Sequence, residues 1–172
     1  MFSIITRIIL ASIIPFFPII AQNSERYGLD PILISSQVKA ESSFDPKAVS
    51  RVGAIGLMQI MPSTAEWLGF DGDEELLFLP EVNIRLGCYY DRWLIKFWIR
   101  QNNAEDGMLE ALMLASYNAG PGRVKKEVKK HGLERFHEGI PAETRGYVKR
   151  IFRYRAEYLW ITTQKLRRRC LE

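Results

Sequence analysis

A chain of 172 residues with 47% apolar and 12% aromatic content is long enough for one domain with a buried core, and too apolar for a disordered tail. Twenty-four lysines and arginines against twenty acids leave a net charge of +4, which suits an anionic polymer or surface, yet no nucleic-acid-binding signature accompanies it. Cys88 and Cys170 form no CxxC, His131 and His137 form no HExxH, and GxGxxG and P-loop patterns are missing, so metal, redox and cofactor chemistry is not expected.

In chain order, Ile8 to Ala21 carries no charge and follows Arg7, as the apolar region of a signal peptide follows its basic start. The stretch is short for a membrane span, and Pro15 and Pro18 interrupt it. Export is the expected use of residues 1–21, with cleavage and retention as an anchor both left open. Ile19 and Ala21 do not make the small-x-small cleavage pattern. The leader overlaps a first domain helix, in which Ile20, Ser24 and Tyr27 recur at helical spacing. The domain is expected over residues 16–163, with a basic tail at 164–172.

Asp30 and Pro31 supply an N-cap and a first-turn proline for the next helix, which Asp45-Pro46 is expected to close. A loop, RVGAIGLMQIM, follows; Gly53 and Gly56 in it are expected in backbone conformations closed to other residues, or as simple turn formers. Ser63 with Glu66 reads as a capping box for a short helix ending near Gly69. After the acidic DGDEE and Pro80 comes a long helix whose Val82, Leu86, Tyr90, Trp93 and Phe97 recur at spacings of three and four. That stripe is expected to be ordinary core. MLEALMLASYN is a further apolar helix stopped at Gly120-Pro121-Gly122, and a basic helix then runs through Lys130 to Gly132. After Pro141 the last helix carries Tyr147, Ile151, Tyr154 and Tyr158 on one side. Lys125, Lys126, Lys129 and Lys130, and later Lys165 with Arg167, Arg168 and Arg169, are expected to be solvated helix faces. With no run of strict alternation, the expected fold is all-α and a single compact domain.

Glu41 stands out chemically. Ile34, Val38 and Glu41 share one helical stripe. Burial disfavours an ionised carboxylate and raises its pKa, which a general acid near neutral pH requires. Alone, the residue would better suit neutralisation by a structural Arg or Lys.

Four separated segments change that balance: Glu41-Ser42, the GLMQ of Gly56 to Gln59, the SYNAGPG of Ser116 to Gly122, and the ETRGYV of Glu143 to Val148. In this order, and with the run ESSFDPKAVSRVGAIGLMQIMPSTA nearly uninterrupted, the chain resembles the soluble lytic transglycosylases, the goose-lysozyme-like branch of the lysozyme superfamily. The resemblance covers most of the chain. It implies a goose-type lysozyme fold, a single catalytic acid and base at Glu41, and no cofactor. It further implies that Ser50, Gln59, Tyr117 and Asn118 line the glycan groove or orient the reacting sugar, and that Met58 packs against a sugar ring. Glu143 and Tyr147, one helical turn apart, are expected to border the site as a local pair.

Each residue has a structural alternative. Gln59 would cap its loop, Tyr117 would be a core tyrosine with a satisfied hydroxyl, Asn118 a helix C-terminal residue, Glu143 a helix cap, and Met58 a filler of a core gap. The implied activity is lytic cleavage of peptidoglycan glycan strands between N-acetylmuramic acid and N-acetylglucosamine, leaving 1,6-anhydromuramic acid ends. The alternatives are a muramidase that hydrolyses the same bond, with Asp45 or Glu143 as second carboxylate, and a peptidoglycan-binding module without turnover. The expected setting is extracytoplasmic, in the periplasm or envelope, as a monomer with peripheral or anchored membrane association left open. A Cys88–Cys170 disulfide is left open too.

Overall fold

Prolines and capping side chains start most of the helices, and residues with positive φ stop several of them. The computed structural model describes residues 2–102 and 106–169. Its described elements are α1 (Ile4–Ala11), α2 (Phe17–Tyr27), α3 (Pro31–Ser42), α4 (Pro62–Trp67), α5 (Pro80–Asn102), α6 (Asp106–Ala119), α7 (Pro121–His131) and α8 (Ala142–Arg169), with two short 3-10 turns. No strand occurs among the described residues, only isolated bridges of Ile55 with Val49 and Ile60. The all-α expectation therefore holds.

The chain forms two contact units, one holding the residues up to Cys88 and those from Ile151 onward, the other Tyr89–Arg150. In the first, α1 packs on α2 and α2 on α3. Leu10, Ile14, Phe17, Ile20, Ile32 and Ile34 are all fully buried there. The apolar segment is broken between Ala11 and Phe17, where Phe16 takes a left-handed φ of 57° and Pro18 enters the first turn of α2. Ile20 and Ser24 are buried and Tyr27 partly so, as the spacing of the first domain helix requires. Among the described residues no helix is long and apolar enough to cross a membrane.

Asp30 caps α3 by accepting from the Ile32 N–H at 2.9 Å, and its other oxygen pairs with Arg155 of α8 at 2.7 Å. Lys39 ties the other end of α3 to α8, lying 4.2 Å from the Tyr154 ring centroid and 3.7 Å from Glu157. Two boundaries depart from the sequence reading. α3 stops at Ser42, three residues before Asp45-Pro46, because Ser43 and Phe44 both turn left-handed. The Ser63–Glu66 capping box does not form: α4 begins at Pro62, two residues before the start a Ser63 cap would set, and Met61 is its N-cap without a side-chain hydrogen bond. Proline's preset φ starts this helix in place of a capping hydroxyl. The stop at Gly69 is as expected, with φ at 88° and the Phe70 N–H donating back to the Ala65 carbonyl.

The second unit centres on Trp98, Leu109, Leu112, Ala115, Val124 and Phe136. Gly120 has φ 84° and Pro121 opens α7, whose Lys125, Lys126, Lys129 and Lys130 are exposed as expected. The stripe read as ordinary core on α5 is corrected in part: Leu86 is buried, whereas Val82, Tyr90, Trp93 and Phe97 are only partly so. The fully buried row is Ile84, Cys88, Asp91, Leu94 and Trp98, displaced around the helix. Spacing identified a coherent face but could not say which of two apolar faces of this helix is covered. α8 continues without a break to Arg169, so the described part of the tail is helical. Residues 170–172 lie outside the described residues, and the disulfide question falls there with Cys170.

Candidate active site

In the first unit, Glu41 occupies the last turn of α3, one residue before its end. Ile34 and Val38 beneath it are 0% exposed, and Glu41 itself is partly buried. The neighbouring Ser42 hydroxyl lies 2.8 Å from the Leu57 carbonyl, so it ties the end of α3 to the Gly56–Gln59 turn.

That turn is built around Asn83 of α5. The Met58 N–H donates to Asn83 Oδ1 at 2.7 Å, while Asn83 Nδ2 donates to the carbonyls of Ile55 and Leu77 at 2.8 and 2.7 Å. Asn83 is 0% exposed, and in a dry site such a fully satisfied amide fixes loop geometry strongly. Gly56 is required twice over: its φ is 77°, and a Cβ there would sit 2.4 Å from Asn83 Nδ2 and 2.6 Å from the Leu77 carbonyl. Gly53, also at positive φ, meets nothing within 4 Å, so turn formation accounts for it.

Gln59 adopts φ 49°, sparsely populated for a side chain larger than hydrogen. Its Nε2 donates to the carbonyls of Gly56 at 3.0 Å and Ala48 at 3.2 Å. The amide nitrogen thus clasps the loop. Ser50 also works locally, its Oγ accepting from the Ala54 N–H at 2.9 Å. Met58 corrects an expectation: it is 0% exposed, and its thioether fills the space over Gly87, where a Cβ would lie 2.2 Å from its sulfur. A side chain without accessible surface packs the core and does not present itself to a sugar ring. Asp45, the nearest other carboxylate in sequence, caps the Lys47 N–H at 2.9 Å.

In the second unit, Tyr117 and Asn118 lie in the last turn of α6, and Glu143 opens α8. The preceding Ser116 is anchored by Trp98, whose indole N–H donates to Ser116 Oγ at 2.9 Å. Tyr117 is partly buried, its ring centroid 5.2 Å from that of Tyr90 and tilted by 47°. Burial, reinforced by Asp91, pushes the Tyr90 phenol above its ordinary pKa. Asn118 is exposed, and its Oδ1 accepts from Thr144 Oγ1 at 2.8 Å, which joins the end of α6 to the start of α8. Glu143 is exposed and Tyr147 buried.

The structure thus assembles Glu41, Ser50 and Gln59 around one loop, and Tyr117, Asn118, Glu143 and Tyr147 around one helix junction. Sequence reasoning missed Asn83 and Thr144, which hold these two assemblies in place. Asn83 had one signal, a polar amide next to Ile84 on an otherwise apolar face.

Residues 18–138 match the family model for the transglycosylase SLT domain, and the chain belongs to that family. Among curated relatives it is 32% identical over 169 residues to the membrane-bound lytic murein transglycosylase C of Actinobacillus pleuropneumoniae, covering 85% of this chain and 46% of the relative. It is 37% identical over 139 residues to the soluble lytic murein transglycosylase of Escherichia coli, covering 74% and 20% respectively. Among solved structures, an inactive glutamate-to-glutamine mutant of the lytic transglycosylase Slt from Pseudomonas aeruginosa superposes with a TM-score of 0.69 at 32% identity, over 92% of this chain and 26% of that one. A 70-kDa soluble lytic transglycosylase in complex with bulgecin A gives 0.70 at 28% identity, over 86% and 24%. The chain spans less than half the length of these relatives.

Proposed function

We propose that this chain is a peptidoglycan lytic transglycosylase acting outside the cytoplasm, with Glu41 as its single catalytic acid and base. The observation that carries the reading is a partly buried carboxyl at the end of α3, tied through Ser42 to a loop that Asn83 and Gly56 fix in one conformation. Membership of the SLT family and the inactive glutamate-to-glutamine relative support it.

Glu41 protonates the oxygen bridging N-acetylmuramic acid and N-acetylglucosamine, and the bond breaks. The muramic N-acetyl group stabilises the cationic anomeric carbon. The carboxylate of Glu41 then takes the proton of the C6 hydroxyl, whose oxygen closes on that carbon as a 1,6-anhydro ring. No water enters the product. A tethered nucleophile carries a high effective molarity, so a second carboxylate is unnecessary, in contrast to two-carboxylate glycosidases. Ser50 and Gln59 shape the sugar-facing loop, while Tyr117, Asn118 and Glu143 form the second substrate-binding group, with Tyr147, which is buried, supporting it from within the core.

Mass analysis of fragments released from purified sacculi tests the proposal. Products one water lighter than reducing-end muropeptides are expected; only reducing-end products would make the chain a muramidase, and binding without release would make it a non-catalytic module. The protein is further proposed to work as a monomer in the periplasm, with peripheral attachment through α1, where Ile4, Ile5 and Ile8 are exposed. Flotation with lipid vesicles after a high-salt wash checks that attachment, and complete release of the protein would refute it.

A further inference from the structure

α5 carries two parallel rows within the second unit. Tyr89, Trp93, Phe97 and Gln101 recur every four residues, and Arg92, Lys96 and Arg100 recur beside them; together they line a pocket of about 340 Å³. Steps of four residues on a helix repeat at roughly 6 Å, so rings and cations alternate along one strip. Trp93 stacks on Phe97 with centroids 5.5 Å apart, and Tyr90, 6.1 Å from Trp93, leads on to Tyr117. A fourth cation, Lys125, lies 5.8 Å from the Phe97 ring centroid. Among the described residues no carboxylate lines this pocket. Partly exposed aromatic area beside a row of cations fits an extended ligand that carries carboxylates and apolar groups together.

We infer that this strip on α5 is a subsite for the carboxylate-bearing stem peptide of peptidoglycan, continuing from Tyr117. The inference rests on the substrate class proposed above. In intact murein the lactyl carboxyl of muramic acid is consumed in the amide bond to the peptide, so the anionic groups reside on the stem and the sugars are neutral. The cations therefore face the peptide, and the glycan itself has no charge for them to meet.

The test uses the full chain and the double variant Lys96→Glu with Arg100→Glu, both at exposed positions, its fold checked by circular dichroism. Calorimetric titration with a free stem tetrapeptide should show binding by the parent chain and about ten-fold weaker binding by the double variant. Cleavage of peptide-bearing strands should fall by a similar factor, while strands whose stem carboxyls have been converted to neutral amides are cut at unchanged rate. Loss on both strand types alike would overturn the inference, because the patch would then read sugar. So would absence of tetrapeptide binding to the parent chain, or preferential binding of an oligonucleotide. If neither strand type is cut but the tetrapeptide binds in a Lys96- and Arg100-dependent way, the catalytic proposal fails and the subsite stands.

Discussion

The loop that follows α3 and the junction between α6 and α8 hold their candidate residues by different physics. Around Glu41 the frame is backbone: Asn83, Ser50, Ser42 and Gln59 all direct side-chain hydrogen bonds at main-chain atoms, and Ser43, Phe44 and Gln59 sit at positive φ. Around Tyr117 the frame is side chain on side chain, through Trp98–Ser116, Thr144–Asn118 and the tilted Tyr90–Tyr117 rings. A backbone frame has few solutions and tolerates little, whereas packed rings and hydroxyls can be trimmed at modest cost. The contrast suits the proposed roles, since a proton donor must be placed precisely and a binding wall need only be shaped.

Substitutions can break this contrast or sharpen it. The largest effect is expected for Glu41→Gln, which should reduce release of soluble fragments by roughly 10²–10⁴-fold with an unchanged circular dichroism spectrum; retained turnover would end the assignment. Next comes Gly56→Ala, where positive φ and the clash with Asn83 and Leu77 together should cost about 3 kcal/mol or more in urea denaturation. Gly69→Ala, with similar φ and open space around it, should lose only about 1 kcal/mol. Equal losses at the two glycines would show that loop packing contributes nothing.

Asn83→Ala strands the Met58 N–H and two carbonyls in a dry site and should cost about 2–3 kcal/mol, with activity falling in parallel. Thr144→Val, which removes a single hydroxyl contact to Asn118, should cost about 1 kcal/mol and raise KM more than it lowers kcat. The smallest effect is confined to alkaline solution. Burial first, then Glu157 and Tyr154, push the Tyr158 phenol up to about 12. The native state therefore keeps a proton that the unfolded chain releases near pH 10, so stability should fall as pH rises from 10 towards 12. Urea midpoints at pH 9 and 11 should show a smaller drop for Tyr158→Phe than for the parent.

Much of the helical frame was legible. Asp30-Pro31, Gly69, Gly120-Pro121, Gly132 and Pro141 mark ends because each acts on its own backbone, and all coincide with observed boundaries. The end of α3 was misplaced because Ser43 and Phe44 carry no local preference for left-handed geometry; the surrounding loop imposes it. The missing Ser63–Glu66 box reflects competition between two local signals, which Pro62 won. Glu41 was legible as a carboxyl above Ile34 and Val38, because 3.6-residue periodicity fixes which side chains share a face.

The sequence alone therefore determined the all-α class, the helix order and the residues that mark the family, since these depend on dihedral preference, spacing and motif. Only the tertiary structure decided that Met58 is core, that Asn83 organises the loop, and that Tyr90, Trp93 and Phe97 are only partly buried. Periodicity says which side chains point the same way. What lies opposite them depends on residues far away in the chain, and burial is a property of that encounter.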